Sequence, residues 1–200
     1  QEKLNLNTKG GNVQYNSINR NFLSHIALEK SFKKHNVRHA ISFHQNISKA
    51  EDFKDLQNTF SGKVFPKINI SAFHVSSKKN ASERQNILSD FVKEKHSLIT
   101  NARCLTEGID IPAIDCVVFS DPKQSIVDIV QASGRAMRQS KSTNKKLGYI
   151  ILPINIPKDK SLEDFNKSPE FKTVRKIITA LSTQDERIAE YFKKRKKKQK

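Results

Sequence analysis

Five short apolar runs, separated by segments with helical periodicity, set the pattern of this 200-residue chain. The segments between the runs carry apolar residues at three- and four-residue spacing, as at Phe53, Leu56 and Phe60, which is typical of amphipathic helices. Strands that alternate with helices form a parallel sheet with helices packed on its faces. We therefore predict an α/β fold with a parallel sheet of about five strands. The predicted strands are 40–43, 68–75, 97–100, 115–119 and 148–152.

Capping patterns predict where the helices begin. The ranges Ser48–Glu51 and Asn80–Glu83 have the spacing of a capping box, in which the first side chain accepts from a backbone amide and the glutamate reaches back. Ser168 precedes a proline, which is favoured in the first turn of a helix. We also predict that the first helix begins near Ser17, and that the helix after Asn80 buries an apolar stripe that includes Val92.

Two arginines, Arg135 and Arg138, lie three residues apart behind a glycine and follow an apolar run with helical spacing. Arginine stays protonated, and its planar fork of donors matches phosphate oxygens, so the pair suits a phosphate. The alternative is a solvated basic helix end, since basic residues are common near helix C-termini. The sequence upstream favours the phosphate.

That upstream sequence is an apolar run ending in Thr100, followed by a loop that contains Gly108, Asp110 and Pro112. The glycine supplies backbone freedom, and the aspartate lies between two isoleucines that would anchor the loop. Taken alone, the segment 108–112 could be an ordinary turn. Its position before the two arginines favours a functional loop at the carboxyl end of a strand.

The composition favours a polyanionic partner, because the formal net charge is +17. Seven of the last eight residues are basic, and this tail is either a solvated end or a grip on nucleic acid. Cys104 and Cys116 have no spacing that predicts a metal site, so we expect free thiols and no metal. No run is long enough to cross a bilayer and no signal pattern begins the chain, so we expect a cytoplasmic protein without a membrane partner.

These segments resemble the motifs of superfamily 2 helicases. The run from Thr100 to Pro112 resembles motif V, and Gln131–Arg138 matches the Gln-x-x-Gly-Arg-x-x-Arg form of motif VI. Residues 38–44 resemble the strand of motif IV. The resemblance covers residues 36–152 and implies a RecA-like domain, the C-terminal one of two. Residues 101–108 and 148–153 are similar to helicases of restriction-modification systems, particularly type ISP enzymes, with type III-like and related helicases beside them.

The resemblance assigns roles at a nucleotide site between two domains. Arg138 would reach the γ-phosphate of ATP as an arginine finger, with Arg135 in support. Four further residues would bind ATP: Glu107, Gly108, Asp110 and Gln131. The chain has neither a phosphate-binding loop nor an acidic magnesium motif. The family carries both on the first RecA-like domain, so ATP and Mg²⁺ would be bound mainly there, and this chain alone should not hydrolyse ATP.

The resemblance also assigns contacts to the backbone of a nucleic acid, which carry no sequence information. They involve His44, Gln45, Thr100, Asn101 and Arg103. We expect DNA in preference to RNA as the partner, because motif VI begins with Gln131 where the DEAD-box group has histidine. Other expected partners are the N-terminal RecA-like domain of the same polypeptide and a nuclease or methyltransferase domain.

The predicted organisation has four parts. These are a lead-in or linker at 1–16, the RecA-like domain at 17–156, a helical extension at 157–192 and the basic tail at 193–200. The predicted function is the second motor domain of an ATP-dependent DNA helicase or translocase in a restriction-modification enzyme. Two alternatives stay open, namely half of an RNA helicase and a non-catalytic basic module that binds nucleic acid.

Overall fold

The structure is a computed structural model that describes residues 12–62, 68–101, 114–120, 134, 148–153, 167–183 and 190. Within these ranges the chain forms four helices and five strands. They are α1 (Asn12–His35), β1 (His39–Phe43), α2 (Ile47–Phe60), β2 (Ser71–Val75), α3 (Ala81–Lys93), β3 (Ser97–Asn101), β4 (Cys116–Phe119), β5 (Tyr149–Ile151) and α4 (Pro169–Ser182). No helix in these ranges is long and apolar enough to cross a membrane.

The five strands form one parallel sheet in the order β2-β3-β1-β4-β5. This confirms the predicted fold class. Strand β1 lies in the middle, with Ser42 opposite Thr100 of β3 on one side and opposite Val118 of β4 on the other. On the far side of β3, Thr100 lies opposite His74 of β2. The carboxyl ends of β1, β2 and β3 therefore meet at one edge of the sheet.

Helices cover both faces of the sheet, and alternate residues of each strand enter one of two apolar cores. On one face Leu28 and Phe32 of α1 and Phe53 of α2 pack against Leu98 and Val118. The core of the other face is built by α3, α4 and the intervening strand positions: Leu88, Phe91, Ile177, Leu181, Ile41, Ile99 and Val117. The helix α4, which lies within the predicted helical extension, thus contributes side chains to a core of the sheet.

The predicted helix starts agree with the structure in two cases and differ in two. The capping box at Asn80–Glu83 is confirmed by two hydrogen bonds of 2.9 Å, and Ser168 caps α4 as predicted. The cap at Ser48 is wrong. Helix α2 is capped by Asn46, whose Oδ1 accepts from the amide of Lys49 at 2.9 Å. Helix α1 begins at Asn12, before the predicted start near Ser17.

One predicted core residue, Val92, is exposed. It directly follows the fully buried Phe91 on α3, and successive side chains on a helix point about 100° apart. Leu88 and Phe91, which are one turn apart on α3, pack into the core against the sheet, whereas the side chain of Val92 points toward solvent. The predicted stripe was therefore one residue too wide.

The free edge of the sheet at β2 is covered by side chains of α2 and the turn that follows it. The amide group of Asn58 donates to the carbonyl oxygen of Ala72 at 3.1 Å and accepts from its N–H at 2.9 Å, as a neighbouring strand would do. The hydroxyl of Ser61 accepts from the N–H of Ile70 at 2.6 Å. These bonds satisfy edge groups that would otherwise be open to pairing with another chain.

A buried polar cluster joins α1 to α2. His25 Nδ1 lies 2.6 Å from Gln57 Oε1, and Gln57 Nε2 donates to Glu29 Oε1 at 3.2 Å. Burial lowers the pKa of His25 to about 4 and raises the pKa of Glu29. In each case the hydrogen bond with the Gln57 side chain shifts the pKa in the opposite direction, by less. His39, buried against Phe91, also has its pKa lowered to about 4, mainly by burial. Both histidines are therefore neutral in the folded protein at pH 7.

Candidate nucleic-acid interface

A row of buried polar side chains crosses the carboxyl edge of the sheet on the face covered by α2. His74, Thr100 and Ser42 lie side by side on β2, β3 and β1. His74 Nδ1 lies 3.0 Å from Thr100 Oγ1, and Ser42 Oγ lies 2.9 Å from His44 Nε2. The ring of His44 packs against Phe53 of α2 at a centroid distance of 4.8 Å. Apolar residues occupy this face nearer the middle of the strands, so the polar row marks the end of the core.

His74 has charged neighbours on its other side. Its Nε2 atom lies 3.8 Å from Glu51 Oε1, which is beyond hydrogen-bond distance. Burial lowers the pKa of His74; Glu51 opposes this, Lys54 and Lys79 lower it further, and a hydrogen bond to the backbone of Thr100 raises it. A cavity of about 360 Å³ borders this group, lined by Glu51, Lys54, Asp55, Ala72, Phe73, His74, Lys79 and Ile87. The edge of the sheet at β2 is thus polar and carries both signs of charge.

Four of the predicted nucleic-acid contacts lie among the described residues, and they differ in exposure. His44, Thr100 and Asn101 are buried, and the amide of His44 donates to the carbonyl oxygen of Asn101 at 2.9 Å. Gln45 is exposed, and its Oε1 accepts from Lys49 Nζ at 2.9 Å. The structure therefore brings these residues together at one edge and presents Gln45 with Lys49 to solvent.

The predicted nucleotide site lies outside the described residues. This holds for Arg135, Arg138, Gln131 and Asp110, and likewise for Glu107, Gly108 and the predicted nucleic-acid contact Arg103. Within the segment Gln131–Arg138, the structure describes Gly134. Its backbone is helical, and a Cβ added there would meet no atom within 4 Å. Of the two cysteines, Cys116 is a buried free thiol whose pKa is raised by burial, and Cys104 is not described. No group of three potential ligands able to hold a metal occurs in the described part of the chain.

Two residues at this edge, His74 and Lys49, were not predicted from the sequence. His74 lies at the end of the predicted strand 68–75, and Thr100 ends the predicted strand 97–100, so the same positional argument applies to both. A histidine at a strand end has many uses, and only the pairing of β2 with β3 brings its ring to Thr100. Lys49 lies in the first turn of α2, four residues after Gln45, which precedes the helix.

Residues 20–140 match the family described as "Helicase conserved C-terminal domain". The chain belongs to this family. The matched range includes the segments that resemble motifs IV, V and VI and contains β1 to β4. The sheet of five parallel strands with helices on both faces is the fold expected for the C-terminal RecA-like domain of a superfamily 2 helicase.

Proteins similar in sequence include helicases and a phage protein. The chain is 26% identical over 132 residues to the mitochondrial ATP-dependent RNA helicase MSS116 of Lodderomyces elongisporus, covering 62% of this chain and 19% of that protein. It is 27% identical over 123 residues to a 51.5 kDa protein of a Lactococcus phage, covering 61% of this chain and 25% of that one. The chain spans between 12 and 25% of the length of the first curated relatives it matches.

Solved structures share the fold. The chain is similar to the ATP-dependent type ISP restriction-modification enzyme LlaBIII bound to DNA, with a TM-score of 0.71, 31% identity, and coverage of 84% of this chain and 12% of that one. Dbp5 of S. cerevisiae, bound to RNA and ADP BeF3, has a TM-score of 0.54 at 16% identity, over 82% of this chain and 37% of its own. The predicted resemblance to superfamily 2 helicases, including one from a restriction-modification enzyme, is confirmed.

Proposed function

We propose that this helicase C-terminal domain is the second motor domain of an ATP-dependent DNA helicase or translocase in a restriction-modification enzyme. The observation that carries the proposal is the family match over residues 20–140, which spans the segments that resemble motifs IV, V and VI. The likeness to a type ISP enzyme that was solved with DNA supports the choice of DNA and of the enzyme class. The glutamine that begins motif VI, Gln131, supports it further.

In this proposal the chain supplies one wall of a nucleotide pocket. Arg138 reaches the γ-phosphate of ATP and stabilises the charge that develops during phosphoryl transfer, with Arg135 beside it. Gln131 positions the arginines, while Asp110 accepts from the ribose hydroxyl or from an arginine. Gly108 lets the backbone approach the nucleotide, and Glu107 pairs with an arginine. ATP and Mg²⁺ are bound mainly by an N-terminal RecA-like domain of the same polypeptide.

The carboxyl edge of the sheet contacts the nucleic-acid backbone. Gln45 is exposed there beside Lys49 and meets phosphates first. Thr100, with Asn101, Arg103 and His44, adds contacts from the strand ends. The Thr100 side chain is buried in this structure, so a phosphate reaches it only when the residues that cover it move aside. Such contacts follow one strand without reading its sequence.

The nucleotide role is tested by Arg138→Ala in the full-length protein. Loss of an arginine finger lowers the ATP turnover number by about 10³-fold or more, so we expect DNA-stimulated hydrolysis to fall that far with little change in DNA affinity. The matched control is Arg175→Ala, because Arg175 lies exposed on α4. Unchanged turnover in Arg138→Ala would contradict the proposal and favour a non-catalytic binding module.

The nucleic-acid role is tested by Lys49→Ala in the same protein. Each lost phosphate contact lowers the slope of log affinity against log salt by about 0.7 to 0.9, and we expect that loss here. The control is Lys172→Ala, an exposed lysine on α4. Comparing DNA with RNA as the activator of ATP hydrolysis tests the choice of polymer. The relative named as an RNA helicase makes RNA the second candidate, and activation by RNA alone would favour it.

A further inference from the structure

The hydroxyl of Thr100 has one hydrogen, and its partner in this structure is a histidine. Thr100 Oγ1 lies 3.0 Å from His74 Nδ1, and both side chains are buried. A threonine hydroxyl donates one hydrogen bond and accepts through its lone pairs. If it donates to His74 Nδ1, no hydrogen is left for a second acceptor. The proposed contact of Thr100 with a phosphate therefore depends on which atom carries the proton in this pair.

The direction of the hydrogen bond between Thr100 and His74 Nδ1 depends on whether the other ring nitrogen, Nε2, carries a hydrogen. Among the residues that the structure describes, His74 Nε2 has no hydrogen-bond partner, and the Glu51 carboxylate lies 3.8 Å from it. A carboxylate attracts an N–H and repels a lone pair, so the neutral ring carries its hydrogen on Nε2. Nδ1 then accepts from Thr100. When the ring is protonated, both nitrogens are donors, Nδ1–H donates to Thr100 Oγ1, and the hydroxyl hydrogen is released.

We propose that His74 is a positioning residue whose proton determines whether the Thr100 hydroxyl is free to donate to a phosphate of bound nucleic acid. This inference rests on the proposed function, in which the carboxyl edge of the sheet contacts a nucleic-acid backbone. His74 does not touch the phosphate and acts through Thr100. The pair spans the two strands at the β2 end of the sheet.

The charges around His74 set the direction of the pH dependence. Helix α2 presents Glu51, Lys54 and Asp55, with Lys54 Nζ 2.8 Å from Asp55 Oδ1, and the turn after β2 presents Lys79. Burial, Lys54 and Lys79 keep the ring neutral at pH 7, and Glu51 opposes them. A phosphate near Thr100 adds negative charge and favours the protonated ring. Binding therefore takes up a proton, and affinity increases as the pH falls through the pKa of His74 in the complex.

The test is the affinity of the full-length protein for a single-stranded DNA oligonucleotide between pH 8 and 5.5 at fixed ionic strength, measured by fluorescence anisotropy. One proton taken up on binding strengthens affinity by at most about tenfold per pH unit, and we expect the affinity of the wild type to increase toward the acid end of this range. Thr100→Val should bind more weakly and lose this part of the pH dependence. His74→Asn, whose amide can donate to Thr100 at every pH, should also lose it.

Two further variants separate this role from a structural one. His35→Gln changes an exposed histidine at the end of α1 and should keep the wild-type pH dependence. Glu51→Gln changes a half-exposed side chain outside the core and should move the titration of His74, followed by ¹⁵N chemical shifts of its ring, to lower pH. These shifts can be measured even if Thr100→Val or His74→Asn fails to fold.

The outcomes separate this inference from the function on which it rests. DNA binding with the same pH dependence in Thr100→Val as in the wild type would overturn the inference and leave the proposed function intact. An unmoved His74 titration in Glu51→Gln would overturn it as well. Absence of DNA and RNA binding at every pH would overturn both together.

Discussion

Lowering the pH from 8 to 5 should destabilise this domain, because two buried histidines are held neutral in the folded state. His25 and His39 both have pKa values lowered to about 4, chiefly by burial, from an ordinary value of 6.5. A group with a lowered folded-state pKa protonates first in the unfolded chain. Its contribution to stability is therefore complete above pH 6.5 and is lost as the pH falls toward 4.

The size of the effect follows from these values. The pKa of each histidine is about 4 in the folded state and 6.5 in the unfolded state. Lowering the pH from 8 to 5 therefore decreases the free energy of unfolding by about 2 kcal/mol for each histidine. The two together cost about 4 kcal/mol, a large part of the 5 to 15 kcal/mol typical of a folded domain. Glu29 acts in the opposite sense, because its raised pKa favours the protonated carboxyl in the fold. It reduces the loss at low pH.

Urea unfolding of the 200-residue chain at pH 8, 7, 6 and 5 measures this loss. The informative variant is His25→Gln, which removes one titrating ring beside Gln57. We expect it to be less stable than the wild type at pH 8 and to lose about 2 kcal/mol less on going to pH 5. His35→Gln, at an exposed position, is the control. A pH dependence in His25→Gln equal to that of the wild type would refute the argument.

Three further predictions concern local stability. Asn58→Ala removes both hydrogen bonds to the edge residue Ala72 and should cost about 1 to 3 kcal/mol in urea unfolding, with increased self-association; an unchanged midpoint would contradict the edge role. Asn36 has a positive φ of 52°, so Asn36→Ala should cost about 1 kcal/mol while Asn36→Gly costs less. Gly134→Ala should raise the unfolding free energy by about 0.5 to 1 kcal/mol, since its helical backbone has room for a Cβ, and a lower value would count against this.

Local patterns in the sequence predicted the elements well because they depend on neighbours within one turn. The capping box at Asn80–Glu83 and the cap at Ser168 involve residues three apart, and both were recognised. The same reasoning failed at Ser48, because Asn46 offers an equally good cap two residues earlier and the pattern does not rank them. The predicted burial of Val92 was wrong for a related reason, since only the packing of α3 against the sheet determines how many side chains of the helix are buried.

The candidate site was predicted in part. His44, Gln45, Thr100 and Asn101 were predicted to contact a nucleic-acid backbone, and they lie at neighbouring strand ends. Their exposure was not predictable, because it depends on how the helices cover the sheet. His74 was missed since its contact with Thr100 joins residues 26 positions apart.

The sequence by itself determined an alternating α/β domain with a parallel sheet, the family motifs and a strongly basic charge, because these follow from the order and spacing of residues. Only the tertiary structure decided the strand order β2-β3-β1-β4-β5 and the register that places His74, Thr100 and Ser42 in one row. The physical reason is that strand neighbours are chosen by the packing of two helical layers on opposite faces. That choice involves residues far apart in the chain, so no short segment encodes it.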